Sequence, residues 1–207
     1  VDGVPLLELV LRRLIAAGVS EVIINLHHFP EQVEDFVARR NRFGIHIEFS
    51  HEEVLLDTGG GLQKAAWFFD DGRPFFVHNV DIVSDIDLKK MYDFHLARNS
   101  LATLAVNRRE TQRFLVFDQD LLLCGWKSLR VNKEAMSRKP SGTAHHLGFC
   151  GIQVISPAFL KKMTEEGVFS IITSYVRLAG EGEKIIAFRT DESSWRDVGK
   201  LDELRPS

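Results

Sequence analysis

The sequence predicts a three-layer α/β fold, with helices on both faces of a mixed, mostly parallel sheet. Three observations carry this. Helix-like and strand-like patterns alternate from residue 5 to residue 49, as stacked βαβ units do. An apolar run begins at Phe75, continues to Val80 with only His78 and Asn79 interrupting, and stops at Asp81, as a buried strand ends at its carboxyl terminus. A second long apolar run, 147–155, leads into Ser156-Pro157, a cap and first-turn proline for another helix.

Taken in order, Pro5 fits the first turn of a helix whose inner face is traced by Leu6, Val10, Leu14 and Ala17, before Gly18 supplies a left-handed stop. Glu21–Leu26 reads as a buried strand. Pro30 opens a second helix running toward Arg40, with Val33, Phe36 and Val37 inward. Residues 45–49 alternate cleanly and predict a half-covered strand. A short helix is expected at 62–69. After the strand at 75–80, another helix is expected at 88–97, started by Asp87 or its neighbours, with Met91, Phe94 and His95 on its inner side. Residues 101–106 read as a strand. From residue 114 the pattern changes: 114–117 and 121–124 flank Asp118-Gln119-Asp120 as a β-hairpin. The stretch 132–146, rich in Lys, Ser, Gly and Pro, reads as a mobile excursion, so hairpin and excursion together occupy about 107–147 of a single domain spanning 1–207. Helices at 158–163 and 170–179, a strand at 185–188 and a terminal turn at 201–204 complete the chain.

A chain of 207 residues with 44% apolar and 27% charged residues suits one well-packed globular domain. A net charge of -3 argues against a nucleic-acid-binding surface, which would leave a basic excess. Cys124 and Cys150 have no metal-ligand spacing, so neither a disulfide framework nor a zinc site is indicated, and a reducing cytoplasm is the expected setting. No apolar run reaches transmembrane length, so no membrane partner is expected, nor is there a signal-peptide pattern at the start. The chain opens on Val1-Asp2-Gly3 without an initiator Met, as a trimmed piece of a longer protein would.

Asp81 is the first candidate for chemistry. A carboxylate at the carboxyl end of a buried strand lies in the crevice where open α/β sheets bind ligands, and a hard oxygen ligand there suits Mg²⁺ held together with substrate phosphates. The competing reading is a turn cap. Gly59-Gly60-Gly61, inside Leu-Leu-Asp-Thr-Gly-Gly-Gly-Leu-Gln-Lys, is either a ligand-binding loop whose main chain contacts a substrate or a flexible surface turn. It has neither the Gly-Lys-Ser/Thr ending of a P-loop nor the spacing of a dinucleotide fingerprint. His145 and His146 are adjacent in an extended segment, so their side chains point apart and a shared ligand role is disfavoured. A second aspartate, Asp197, stands between Trp195 and Gly199 near the end of the chain.

These pieces, in this order, resemble the sugar-1-phosphate nucleotidyltransferases, which make nucleotide sugars from a nucleoside triphosphate and a sugar 1-phosphate. Gly-Val-Pro-Leu-Leu-Glu at the start of 3–25 is similar to the family's first helix, and the strand after it to the family's second strand. His-Asn-Val-Asp-Ile-Val-Ser-Asp at 78–85 resembles an Asn-Gly-Asp segment whose Asp binds Mg²⁺. Trp-Arg-Asp-Val-Gly-Lys at 195–200 resembles a Trp-x-Asp-x-Gly-Thr segment whose Asp is the other metal ligand. Within the family, 56–61 and 149–157 look closest to N-acetylmuramic acid 1-phosphate uridylyltransferases of bacterial cell-wall recycling.

The resemblance implies a Rossmann-like nucleotidyltransferase fold, with Asp81 and Asp197 as catalytic metal ligands and Mg²⁺ as cofactor. It implies a nucleotide site at Thr58, Gly59, Gly60, Gly61 and Asn79, the loop 58–61 wrapping the base, and a sugar site at Phe149, Gly151 and Trp195. The partners implied are a nucleoside triphosphate, UTP favoured, and a sugar 1-phosphate, in a protein that could form a homo-oligomer. Mannose 1-phosphate guanylyltransferase, phosphocholine cytidylyltransferase and a non-catalytic regulatory relative are the alternatives within the fold; an unrelated doubly wound binding domain is the alternative outside it. Val80 and Lys200 replace the family's usual Gly and Thr, and no Glu-Lys-Pro run is present, leaving Lys127 and Lys133 as candidates for the sugar phosphate. The family's glycine-rich loop ending in Thr-Arg, and its first strand, are expected upstream of Pro5 and are not among these residues.

Overall fold

The computed structural model describes residues 3–199. Its elements are helices α1 (Leu6–Ala16), α2 (Pro30–Arg39), α3 (Asp57–Lys64), α4 (Leu88–Arg98) and α5 (Ile171–Gly180). The strands are β1 (Glu21–Leu26), β2 (His46–His51), β3 (Phe75–His78), β4 (Ile82–Ser84), β5 (Ala102–Asn107), β6 (Arg113–Phe117), β7 (Leu123–Ser128), β8 (Lys133–Met136), β9 (His145–Ile155), β10 (Ile185–Arg189) and β11 (Trp195–Asp197).

The central sheet is mixed. β5, all six of its residues buried, pairs in parallel with β10 and antiparallel with β9. β3 also runs antiparallel to β9, so β3, β5 and β10 point one way and β9 is the strand inserted against them. β9 makes three of the sheet's antiparallel ladders and the β6–β7–β8 meander makes two more, so β5·β10 is the one parallel ladder of this sheet among the described residues. The long β9 is edged by β3 along its second half and by β6 along its first, and β6, β7 and β8 extend the sheet as an antiparallel meander. The stretch 132–146 thus contains a strand, β8, that the sequence pattern did not show.

Two cores lie on opposite faces. One joins α5 and Leu62 of α3 to the sheet through Tyr175, Phe159, Phe117 and Leu104. The other joins α1 and α4 through Val10, Leu14, Met91, Cys150, Ile152 and Val154. α1 belongs to a third cluster as well, because Leu11 packs with Val37 and Ile47 against the parallel pair β1·β2. Buried Glu8 of α1 ties that helix to the end of α2 through Arg40 at 3.1 Å, and also pairs with Arg12 of its own helix at 2.7 Å.

Several ends differ from the sequence expectation for local reasons. Residues 157–162 form a 3₁₀ turn, and Ser156 does not cap it; its hydroxyl donates to Ser100 O and meets His95 Nε2 instead. His95 is bridged on its other side to Thr103 Oγ1, and burial holds its pKa at about 4, so a neutral imidazole links α4 to β5 and to the end of β9. Asp87 does cap α4, accepting from Lys90 N. Lys200 and the turn expected at 201–204 lie outside the described residues.

Candidate active site

Asp81 follows β3 by three residues and begins the turn into β4. β4 leaves the main sheet and pairs with β11 instead, Ile82 opposite Asp197. That register sets Asp197 beside Asp81, and Val198 N donates to Asp81 O at 2.9 Å. A methyl group on Gly199 would sit 2.6 Å from Asp81 Oδ2 and 3.3 Å from Asp197 Oδ1, so the two carboxylates converge on the point that this glycine leaves clear. Burial, and then the charge of Asp197, raise the Asp81 pKa. Like charges held together in this way lower their energy when a cation lies between them.

The donor set is two carboxylate oxygens, and among the described residues no group of three His, Cys, Asp or Glu side chains gathers to hold a metal. Two carboxylates with further positions left for water and phosphate oxygens fit Mg²⁺. Asp85 and Asp87 do not join them. Asp85 accepts from Ser194 N and so pins β11 to β4.

Beside the pair, the sheet is interrupted. Neither β1 nor β3 has a strand partner on its inner edge among the described residues, and a cleft of about 700 Å³ lies between them. Leu7, Val10 and Leu14 of α1 and Leu62, Phe68 and Phe69 line its two sides, while Asn25, Thr58, Asn79 and Val80 line it as well. Thr58 and Asn79, expected in the nucleotide site, therefore share one cleft. His78 also lines it; its Nδ1 is bonded to Asn79 O, its Nε2 is buried without a partner, and burial lowers its pKa to about 4.

The three glycines are not a loop. They lie in the middle of α3, with no positive φ, and their reason is close approach by the protein itself. A methyl group on Gly59 would strike the ring of Phe169, one on Gly60 the carbonyl oxygen of Gly167, and one on Gly61 Asn25 Nδ2 and Glu52 Oε1. Gly59 N and Gly60 N both donate to Phe169 O, and Thr58 Oγ1 accepts from Ile171 N. These main-chain donors are committed to docking α3 on α5. What the segment presents outward is exposed Thr58 and, ahead of the helix, exposed Val54 and Leu55.

The expected sugar-site residues lie around one strand but not on one wall. Gly151, with φ 73°, lets β9 press against Asn79 and Ile82, and its carbonyl accepts from Asn79 N. Phe149 packs toward the α5 core and Trp195 toward the α1–α4 core. Arg109, which the sequence reading passed over, connects them: its guanidinium lies 3.9 Å from the Trp195 ring centre and donates to Phe149 O at 2.7 Å and Asn107 Oδ1 at 2.6 Å. The one sequence signal for it was a pair of arginines directly after a largely apolar strand. Lys127 lies on β7, paired with Glu134 across the β7–β8 ladder, and exposed Lys133 begins β8, with β6 and β7 both between it and β9.

Comparison with known proteins agrees with this architecture. A family model described as nucleotidyl transferase matches residues 1–206. A mannose-1-phosphate guanyltransferase of Hypocrea jecorina is 35% identical over 108 residues, covering 51% of this chain and 30% of its own. The catalytic subunit beta of the mannose-1-phosphate guanylyltransferase of Danio rerio is 28% identical over 207 residues, covering 95% of this chain and 53% of its own. The chain thus spans about a third to a half of the length of these relatives. Among solved structures, HddC of Yersinia pseudotuberculosis complexed with GMP-PN superposes with a TM-score of 0.71 at 19% identity, covering 96% of this chain and 81% of that one. The inositol-1-phosphate CTP transferase of T. maritima gives 0.72 at 12% identity, covering 99% and 80%. With the family model matched from one end to the other, this chain belongs to the nucleotidyl transferase family.

Proposed function

We propose that the protein joins a nucleoside triphosphate to a sugar 1-phosphate, forming a nucleoside-diphosphate sugar and pyrophosphate. The observation that carries this reading is the convergence of Asp81 and Asp197 beside a cleft that Thr58 and Asn79 help to line. In such a reaction a sugar-phosphate oxygen attacks the α-phosphorus in line with the departing pyrophosphate, so no protein nucleophile is needed. The protein's task is to bring two anions together and hold them aligned. Asp81 and Asp197 would hold Mg²⁺, which when bound neutralises charge on the phosphates. Asn79, its main chain fixed to Gly151, would orient the nucleotide, and the Trp195 ring, fixed through Nε1 to Cys150 O at 2.9 Å, would wall the sugar side.

GTP and mannose 1-phosphate are the substrates we favour, because the relatives named above are mannose-1-phosphate guanylyltransferases. UTP with N-acetylmuramic acid 1-phosphate is the narrower expectation from the sequence, and no relative named here supports it. Pyrophosphate release by the intact protein, measured against GTP, UTP, CTP and dTTP with a panel of sugar 1-phosphates and Mg²⁺, tests the proposal. Turnover with GTP and mannose 1-phosphate is expected. Binding of Mg-nucleotide without turnover on any pair would identify a non-catalytic relative, and absence of nucleotide binding would overturn the reading. A cytosolic setting, where nucleoside triphosphates are available, belongs to the same proposal; among the described residues no helix is long and apolar enough to cross a membrane.

A further inference from the structure

Arg109 has an unusual set of neighbours. Its guanidinium is sandwiched between the Trp195 ring and the backbone of Gly148, where a side chain would strike Nη1 and Cζ. Its protein acceptors are all neutral: Asn107 Oδ1, Phe149 O and, at 3.7 Å, Cys150 Sγ. No carboxylate forms an ion pair with it among the described residues, whereas Arg138, Arg177 and Arg189 each have one. Of its five N–H donors, Nε–H and one Nη2–H have no acceptor among the described residues. A guanidinium held on both faces by packing, uncompensated in charge and with two donors open, is pre-organised to take two oxygens of one oxyanion.

We infer that Arg109 is a binding residue for the phosphate of the sugar 1-phosphate, an inference that rests on the nucleotidyl-transfer reading above. Its place supports that ligand over the triphosphate. Trp195, on which it lies, is two residues along β11 from Asp197, on the β9 side of the carboxylate pair, whereas Thr58 lies across the cleft on α3. The acceptor phosphate must come within reach of the α-phosphorus while facing two carboxylates, so a fixed positive group on that side offsets the repulsion. Gly148 completes the device: a side chain there would displace the guanidinium from its sandwich.

Calorimetric titration of the intact protein with mannose 1-phosphate, inorganic phosphate, mannose and GTP tests this. Arg109→Gln is expected to weaken mannose 1-phosphate and inorganic phosphate by at least about tenfold, the loss typical of one charge-assisted hydrogen-bonded contact, with GTP affinity unchanged. Arg109→Lys keeps the charge without the fork and should fall between. Asn107→Ala removes one support of the guanidinium and leaves its charge, so it separates anchoring from binding: a small change is expected. Equal losses for GTP and mannose 1-phosphate in Arg109→Gln, or undiminished mannose 1-phosphate binding, would overturn the inference and leave Arg109 as a structural clasp. If Arg109→Gln does not fold, the Lys variant decides: wild-type affinity in it overturns the fork, and selective weakening supports it. A wild-type protein that binds GTP but no sugar phosphate refutes this inference alone; one that binds neither refutes the nucleotidyl-transfer reading, and this inference with it.

Discussion

Replacing Asp197 by Asn should stabilise the metal-free protein while removing its activity, the opposition expected of a repelling ligand pair. Asn keeps an Oδ1 acceptor for Gly199 N, which Asp197 now bonds at 3.1 Å, and it matches the shape of the aspartate. What it loses is the charge facing Asp81. Two like charges about 5 Å apart repel by roughly 1 kcal/mol in a largely solvated setting and by more as the dielectric falls. Both groups are half-buried, so a gain of about 1 kcal/mol is expected in EDTA, or a Tm higher by roughly 2–4 °C for a domain of this size. Turnover should drop by at least about a hundredfold. Mg²⁺ with GTP should raise the Tm of the wild type, through ligand linkage, and leave that of Asp197→Asn unmoved. Thermal melts in EDTA and in Mg²⁺–GTP, alongside pyrophosphate release, read all three. A lower Tm for Asp197→Asn in EDTA would mean that the carboxylate is a turn cap, and near-normal turnover would remove it from the metal site.

Three other outcomes follow from the packing. Gly60→Ala, though alanine is the better helix former, should cost about 1–3 kcal/mol because its methyl group meets the Gly167 carbonyl; a melt showing stabilisation would mean that α3 does not dock on this loop. Tyr175→Phe should be neutral or stabilising by about 1 kcal/mol, since the buried hydroxyl has no partner, and urea unfolding that shows a clear loss would reveal one. Stability should fall with acidification between pH 6.5 and 4, because unfolded histidines protonate near 6.5 while His78 and His95 resist down to about 4. The unfolded state binds the extra protons in that window, so each histidine contributes a slope of up to about 1.4 kcal/mol per pH unit, present above it and lost as pH falls through it. Denaturation midpoints at pH 7, 5.5 and 4.5 measure this, and His95→Gln, which can keep bonds to Thr103 and Ser156, should remove its share; an unchanged slope would contradict the assignment.

The α/β layering was legible because its elements are long enough to show a period: α1, β1, α2, β5 and β9 fall close to where the apolar spacing puts them. β4 and β11 were not, since three residues each carry no periodicity, and the pairing of Asp81 with Asp197 came from motif resemblance rather than from any pattern between them. The triple glycine misled for a different reason. Intrinsic propensity opposes a helix there, but burial of three backbone faces against Phe169, Gly167 and Asn25 overrides it. Arg109 was hidden because its role depends on the neighbours that β9 and β11 bring to it, some 40 and 86 residues away in the chain by rough separation.

The carboxylates are carried by a two-stranded ribbon outside the main sheet, so their alignment depends on a few polar anchors as well as on the core. Arg13 of α1 donates to Ser84 Oγ and Ile86 O, fixing the β4 end. Trp195 Nε1 on Cys150 O fixes the β11 end to β9. Asp85 and Ser194 exchange two bonds between the strands. One anchor comes from the helix that walls the cleft and the other from β9, which bears two of the residues proposed for the sugar side. A displacement of either is therefore transmitted to the distance between Asp81 and Asp197, and on the proposed reading the gap that Mg²⁺ would fill is set jointly by both anchors. Arg109, lying on Trp195, couples the acceptor side to the same ribbon: an anion seated on its guanidinium would steady the ring that holds β11, and with it the second carboxylate.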